Sequence, residues 1–180
     1  MERVDPDRDS IKTGSGFHMK NSIREAAPGD CGAVYGLITA LEGKPVDREA
    51  FTDIYRANLR NPSVHYFVWD RDGFVSGFVS LHVQKLLHHA ANVAEIQELV
   101  VDQSVRGTGI GGMLFQRAKE AAVEADCSQL EVCCNQRRTA SHGFYLSRTM
   151  TRNHYKFCLP LADGKNRKTD SDRRPQGAEL

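Results

Sequence analysis

The chain has 180 residues, with 24 basic and 23 acidic side chains and a formal net charge of +1. This near balance excludes a global field that would attract nucleic acid or an anionic membrane surface. No apolar run approaches the roughly 20 residues that span a bilayer, and the polar N-terminus is no signal peptide. The five cysteines lack zinc-like spacing, which favours reduced, mainly structural thiols and a cytosolic location.

The two ends of the chain differ in composition from the middle. Residues 1–18 carry charges and glycines without periodicity, which predicts a disordered leader or tag. Residues 163–180 are similarly polar and predict a flexible tail. Residues 19–162 then form a single domain, long enough to build a proper core.

The first half of this domain predicts one strand and two helices. Asn21–Glu25 suits a short strand, and Asp30 and Asp47 each stand where an aspartate caps a helix. Gly43 ends the first helix, and Asn61-Pro62 ends the second. The apolar faces consist of Val34, Leu37, Ile38 and Leu41 in the first helix and Phe51, Ile54, Tyr55 and Leu59 in the second.

Strands dominate the next part of the chain. Tyr66–Trp69 and Phe74–Val83 are strand-like and are joined by residues 70–73, a clear hairpin turn. A third strand follows at Ile96–Val101. After it, apolar residues recur at the spacing of one buried helical face. These residues are Ile110, Met113, Leu114, Ala118, Ala121, Ala122 and Ala125.

The chain closes with two further predicted strands around a helix. Leu130–Cys134 predicts a strand, in which the adjacent residues Cys133 and Cys134 point to opposite faces. Thr139–Ser147 predicts a short helix, and His154–Leu159 predicts a last strand. The resulting order, β-α-α-β-β-β-α-β-α-β, indicates an α/β fold with one central mixed β-sheet flanked by helices.

A glycine-rich loop connects the third of the central strands to the long helix. Glycines let the backbone turn tightly, and the start of a helix adds partial positive charge. The loop is therefore predicted to bind a phosphate or pyrophosphate. Its residues are Arg106, Gly107, Thr108, Gly109, Ile110, Gly111 and Gly112.

Three phosphate-binding patterns compete for this loop. A P-loop is excluded because no lysine follows the glycines. The dinucleotide spacing G-x-G-x-x-G fits residues 107–112, but Leu130–Cys134 does not end in the acidic residue that holds a ribose. The third pattern, R-x-x-G-x-G, is met by Arg106, Gly109 and Gly111 and resembles the coenzyme A pyrophosphate loop of the Gcn5-related N-acetyltransferase (GNAT) family. A glycine-rich turn without a ligand is the remaining alternative.

The order of elements resembles the GNAT fold throughout, and shorter runs narrow the resemblance. Ala57–Pro62, Leu81–His89, Glu95–Val101 and His142–Leu146 are similar to aminoalkylphosphonate N-acetyltransferases. The match covers Asn21–Leu159. It implies acetyl-CoA as the donor, a small aminoalkylphosphonate as the acceptor and stimulation by a divalent metal. A homodimer is one alternative for the assembly.

The reaction itself needs a base and an acid. A carboxylate can take the ammonium proton of the acceptor, and Glu95 and Glu98 are candidates that strand alternation places on opposite faces. The family resemblance assigns the base to Glu95. It also indicates Tyr145 as the acid, because a phenol with a pKa of about 10 stays protonated at neutral pH and can protonate the leaving thiolate.

The residues that bind the rest of the donor are implied by the resemblance alone. It assigns backbone groups of Leu99, Val100 and Val101 to the pantetheine and thioester, and the amide of Asn135 to the pantetheine arm. One departure from the family lies at residues 147–150, Ser-Arg-Thr-Met, where relatives carry a glycine and an aromatic residue. This departure affects the acceptor side more than the donor side.

Several other side chains are weaker candidates. A metal could bind near Glu95, and a phosphonate suits guanidinium groups. Cys133 and Cys134 are better explained by strand packing than by nucleophilic catalysis. The candidate metal ligands are His82, His88 and His89. The candidate phosphonate-binding side chains are Arg60, Arg137, Arg138 and His142.

Two other functions stay open beside the acetylation of an aminoalkylphosphonate. An enzyme of the same fold could act on another small amine, such as an aminoglycoside, a polyamine or an amino-acid-like compound. A non-catalytic protein could bind coenzyme A or, if the dinucleotide spacing is the true signal, a nucleotide.

Overall fold

The computed structural model describes residues 21–161, which divide into two compact units, 21–133 and 134–161. The first unit contains a five-stranded sheet and three α-helices, and the second contains one α-helix. The predicted leader at 1–18, the predicted tail at 163–180 and the domain limits at 19 and 162 lie outside the described residues.

One mixed sheet organises the first unit. Its strands run in the spatial order β1 to β5, with antiparallel neighbours from β1 to β4 and a parallel β4–β5 pair. The strands are β1 Asn21–Glu25, β2 Val64–Arg71, β3 Phe74–Leu86, β4 Ala91–Val101 and β5 Cys127–Val132. The helices are α1 Cys31–Glu42, α2 Arg48–Asn58, α3 Ile110–Glu124 and, in the second unit, α4 Thr139–Leu146. The predicted α/β class with a central mixed sheet is therefore confirmed.

Helices cover both faces of the sheet. On one face α3 packs so close to β3 that a Cβ atom at Gly77 would lie 2.9 Å from Cδ1 of Leu114, so a larger residue here would force Leu114 to shift. On the other face, side chains of α1 and α2 pack with alternate residues of the strands. The buried cluster there is Val34, Leu37, Tyr55, Val68, Val75, Phe78 and Val100.

The helix boundaries follow the predicted signals with one exception. The side chain of Asp47 accepts a hydrogen bond from the Ala50 N–H at 2.8 Å and caps α2, and Gly43 ends α1 with a φ of 71°. Asp30 precedes α1 but its side chain does not cap it. Its carboxylate instead binds the guanidinium of Arg24 at 2.7 Å, and this charged donor holds the pKa of Asp30 below its usual value.

Two residues predicted on buried helix faces lie outside them. Ile54 is 59% exposed and Met113 is 40% exposed. In α2 the contact with the sheet runs through Phe51 and Tyr55, four residues apart, so that Ile54 falls beside this stripe. In α3 the buried face includes Phe115, which the predicted pattern omitted.

The predicted last strand is wrong. His154–Leu159 has no strand structure, and its Tyr155, Phe157 and Leu159 are 81%, 93% and 83% exposed. Alternating apolar residues suit a strand, but a strand forms only where a second strand offers its edge. The preceding strand also ends earlier than predicted: β5 stops at Val132, so that Cys133 and Cys134 follow it.

No helix within residues 21–161 combines the length and the apolar character needed to cross a membrane.

Candidate active site

A β-bulge at Gln97 determines which face of β4 carries the acidic side chains. Ser80 of β3 lies opposite Glu98, and the next residue, Leu81, lies opposite Ile96, which leaves Gln97 without a partner in β3. One extra residue reverses the alternation of faces beyond it. The prediction that Glu95 and Glu98 occupy opposite faces is therefore wrong. Both lie on the face that α1 and α2 cover.

The side chain of Glu98 is held by the hydroxyl group of Ser80 on the neighbouring strand β3. Ser80 is fully buried, and its Oγ donates a short hydrogen bond to Oε2 of Glu98. Oγ of Ser80 also accepts a hydrogen bond from the Glu98 N–H at 3.1 Å. The backbone N–H of Glu98, next to the bulge, and the carboxylate of Glu98 are thus held by one side chain. Because both bonds involve Ser80, the orientation of Glu98 is tied to the bulge itself.

Tyr66 of β2 lies directly opposite Ser80, which in turn lies opposite Glu98, so the three polar residues form one row across β2, β3 and β4. Its hydroxyl accepts a hydrogen bond from Nδ2 of Asn58, at the end of α2, at 2.5 Å. Burial raises the pKa of Tyr66, the bond from Asn58 opposes that rise, and the negative charge of Glu98 adds to it. The row therefore consists of groups with defined partners, close enough to affect one another electrostatically.

Glu95 occupies the next row on the same face. It is half-buried and lies opposite His82 of β3 and Glu131 of β5. Within residues 21–161 its carboxylate forms neither a hydrogen bond nor an ion pair, whereas Glu131 accepts from Gln129 at 2.6 Å. The oxygens of Glu95 are thus available to a ligand that enters this face.

The edge of β4 is open where the donor is expected. Pairing with β5 ends at Ile96 and Val132, yet β4 continues for five more residues to Val101. Leu99, Val100 and Val101 therefore extend beyond their contact with β5. Backbone groups on such an edge can pair with an extended ligand.

The glycine-rich loop leaves the end of β4 in a defined conformation. Nε of Arg106 donates to the Val101 carbonyl at 3.0 Å, and Oγ1 of Thr108 donates to the Val105 carbonyl at 2.7 Å. Gly107 and Gly109 have φ values of 80° and 91°, in the region that favours glycine. A Cβ atom at either position would meet no other atom within 4 Å, so the space outside the loop is open.

The start of α3 completes this concave surface. The helix begins at Ile110, and its N-cap residue, Gly109, provides no side chain to bind the first N–H groups. The amides of Ile110, Gly111 and Gly112 belong to the first turn, where helical N–H groups have no partner within the helix. Open space, positive φ values and uncapped amides all fit a pyrophosphate of coenzyme A.

Tyr145 and Asn135 belong to the second unit. Burial and, to a smaller extent, Cys134 raise the pKa of the half-buried Tyr145 to about 12, although Arg138 and Arg148 oppose the shift. Its hydroxyl is therefore protonated at neutral pH. Asn135 uses its side-chain oxygen to accept from the Arg137 N–H at 2.9 Å, so its Nδ2 group remains the donor for a ligand.

The other sequence candidates are distributed over both units. Arg60 lines a pocket of about 260 Å³ at the end of α2, together with Asn61, His65 and Tyr66. Arg137, Arg138 and His142 lie in the second unit, where Nε2 of His142 is 3.0 Å from the Asn135 carbonyl oxygen.

No metal site is formed by the described part of the chain. No group of three or more His, Cys, Asp or Glu side chains between residues 21 and 161 is arranged to hold a metal ion. The rings of His88 and His89 lie 4.4 Å apart and contact each other. The suggested divalent metal thus has no ligand set among these residues.

Sequence reasoning missed Ser80 and the bulge that it supports. A signal was present, because Gln97 and Glu98 are two successive polar residues between Ile96 and Leu99 and interrupt strict alternation. Ser80 itself carried no signal, since its importance depends on which residue of β4 lies opposite.

Comparison with known proteins assigns the chain to a family. The model of the acetyltransferase (GNAT) family matches residues 32–149. An aminoalkylphosphonate N-acetyltransferase of Salmonella typhimurium is 42% identical over 139 residues, which cover 77% of this chain and 90% of that protein.

Two solved structures show the same fold. A putative acetyltransferase from Agrobacterium tumefaciens has a TM-score of 0.70 at 25% identity, over 78% of this chain and 99% of its own. An aminoglycoside N-acetyltransferase solved in complex with CoA has a TM-score of 0.72 at 14% identity, over 82% of this chain and 98% of its own. The chain therefore belongs to the GNAT family and is an acetyl-CoA-dependent N-acetyltransferase.

Proposed function

We propose that the enzyme acetylates the primary amine of a small aminoalkylphosphonate. The observation that carries this proposal is the 42% identity to the Salmonella aminoalkylphosphonate N-acetyltransferase across nine tenths of that protein. The acceptor carries an ammonium group at one end and a phosphonate at the other. Carboxylates on β4 suit the first, and Arg60 beside His65 is a candidate for the second.

Transfer takes place directly between the two bound substrates. Glu95 takes a proton from the ammonium group, and the neutral nitrogen then attacks the thioester carbonyl. As the C–S bond breaks, the Tyr145 hydroxyl gives its proton to the departing sulfur. The acetylated nitrogen releases its second proton to water, and the phenolate of Tyr145 takes a proton back from water. The open oxygens of Glu95 and the raised pKa of Tyr145 support these roles, because the first can accept a proton and the second stays protonated.

Donor binding depends on the backbone of the loop. The N–H groups of residues 107–112 hold the pyrophosphate, and Arg106 fixes the loop to the end of β4 through its bond to Val101. Leu99, Val100 and Val101 offer the open strand edge to the pantetheine, and Asn135 offers its Nδ2 group. The enzyme acts in the cytosol, which agrees with five free thiols at its cysteines.

Gly109→Ala tests the loop. Alanine at a φ of 91° is strained, and its methyl group also enters the open space outside the loop. We therefore expect the Kd for acetyl-CoA to rise about tenfold or more, measured by calorimetry. Gly73→Ala is the matched control: Gly73 has a φ of 86° and equally open surroundings in the β2–β3 turn, so it shares the strain but not the ligand. Equal affinities in the two folded variants would reject the loop assignment.

An amine panel tests the acceptor. Thiol release from acetyl-CoA is measured with aminoethylphosphonate, with the sulfonate and carboxylate that share its carbon chain, and with an aminoglycoside and a polyamine. We expect kcat/KM to be highest for the phosphonate, since only a dianion makes full use of the guanidinium groups. A higher value for another amine would overturn the substrate assignment. Initial rates with both substrates varied should give intersecting lines, whereas parallel lines would indicate an acetyl-enzyme.

A further inference from the structure

Glu98 is a half-buried carboxylate without a cation. Within residues 21–161 its side chain bonds only to Ser80, and the ion pairs of this part of the chain involve Arg24 and Arg117 instead. Taking a carboxylate partly out of water is unfavourable unless a positive charge or several hydrogen bonds compensate. A cationic ligand would supply what the fold does not.

The local structure holds this carboxylate in one direction. The buried Ser80 hydroxyl binds both the Glu98 amide and Oε2, so Oε2 has a partner, whereas Oε1 has none among the hydrogen bonds and ion pairs of residues 21–161. The bulge at Gln97 is what turns Glu98 to the side of Glu95. Without that extra residue the two carboxylates would be separated by the sheet.

We propose that Glu98 binds the ammonium group of the acceptor, with Ser80 as its positioning residue. Glu95 and Glu98 then have separate roles. Glu98, anchored by Ser80, orients the cation, and Glu95, whose oxygens have no partner among the described residues, removes the proton. The inference rests on the proposed function only in requiring a primary amine as the acceptor.

The arrangement of the face is consistent with this division. Tyr66, Ser80 and Glu98 form one row across β2, β3 and β4, and Glu95 stands in the adjacent row beside Glu131. The Tyr66 hydroxyl already accepts a bond from Asn58, so its own hydrogen can be donated to another acceptor. The face thus presents fixed polar groups on one side of Glu98 and a second carboxylate on the other.

The test compares two ligands that differ in one group. The amine panel is completed first, and the best acceptor is then paired with the analogue in which a hydroxyl replaces the amine. Glu98→Gln keeps the hydrogen bond from Ser80 but removes the charge. We expect the KM of the amine to rise about 10- to 100-fold, the effect of losing a charged hydrogen bond. The inhibition constant of the hydroxyl analogue should change less than threefold, and so should the KM of acetyl-CoA.

Ser80→Ala tests the positioning role. The change should raise the ratio of the KM of the amine to the inhibition constant of the hydroxyl analogue about tenfold. In a protein that already carries Glu98→Gln, the same change should leave this ratio as it is. A residue that only stabilises the fold would lower the melting temperature and leave the ratio unchanged.

Three outcomes would overturn the inference. Equal changes for both ligands in Glu98→Gln would make Glu98 a packing residue, and no change for either would remove it from the acceptor side. A Ser80→Ala effect that persists in the Glu98→Gln background would show that Ser80 does not act through Glu98. A panel in which a different amine is preferred would revise the substrate but leave this test intact.

Discussion

Replacing Tyr145 with phenylalanine is expected to lower kcat by about 10²-fold or more, the usual effect of removing one acid or base group. The change removes a hydroxyl and keeps the ring, which contacts Phe144 edge-to-face with ring centroids 5.2 Å apart. Packing in α4 should therefore survive, and the KM for acetyl-CoA should change little. Steady-state kinetics with saturating substrates measure the loss.

The pH dependence sharpens this expectation. An acid acts only while it is protonated, so the contribution of Tyr145 is present below its pKa and lost above it. Because burial raises that pKa to about 12, the ratio of kcat between parent and variant should stay constant from about pH 7 to about pH 10. A tyrosine with the usual pKa of about 10 would already lose half of its effect at the upper limit.

Tyr155→Phe is the matched control for this experiment. Tyr155 also belongs to the second unit but is 81% exposed, and no role is assigned to it. Its variant should retain the turnover of the parent. If Tyr145→Phe likewise stays within a few-fold of the parent, Tyr145 is a packing residue and the thiolate takes its proton from water.

The parts of the fold that sequence predicted well depend on few neighbouring residues. The hairpin turn between β2 and β3 is one example, because Asp70 accepts from the Gly73 N–H at 2.7 Å and both Asp72 and Gly73 have positive φ values. The cap of α2 at Asp47 and the end of α1 at Gly43 are others. Each of these signals is complete within about four residues, and no contact from another element within residues 21–161 competes with it.

The errors arose where a distant residue decides the outcome. Asp30 would cap α1 in isolation, but Arg24 of β1 offers its carboxylate a stronger, charged partner. The alternation in His154–Leu159 is correct for a strand, yet pairing depends on an available edge. In both cases the local preference was identified correctly, and the outcome depended on another element: an ion pair with Arg24 at Asp30, and the lack, within the described part of the chain, of a paired strand at His154–Leu159.

The same distinction separates the two halves of the candidate site. The tight conformation of the glycine-rich loop could be predicted because Gly107 and Gly109 reveal a backbone requirement in the sequence itself. The face on which Glu98 lies could not be predicted, because it follows from the register between β3 and β4. A one-residue bulge changed the relation of Glu95 to Glu98 from opposite to neighbouring, and with it the chemistry that the pair can perform.

Glu95→Gln is expected to lower kcat/KM at neutral pH by about 10² to 10⁴-fold, the range for a lost base. The acceptor ammonium should titrate near a lysine side chain, at about 10, so only about one molecule in a thousand arrives as free amine at pH 7. A carboxylate that removes the proton within the complex overcomes this shortage, and glutamine cannot.

The decisive measurement for Glu95 is therefore a pH profile of kcat/KM for the parent and the variant. Raising the pH toward 10 supplies free amine, so the variant should recover part of its loss, and Tyr145 with its pKa of about 12 remains protonated over this range. Glu120→Gln, an exposed position on α3, controls for the change of net charge and should follow the parent. A deficit that persists at high pH as a raised KM would assign Glu95 to binding of the acceptor. A Glu95→Gln profile identical to that of the parent would exclude both roles.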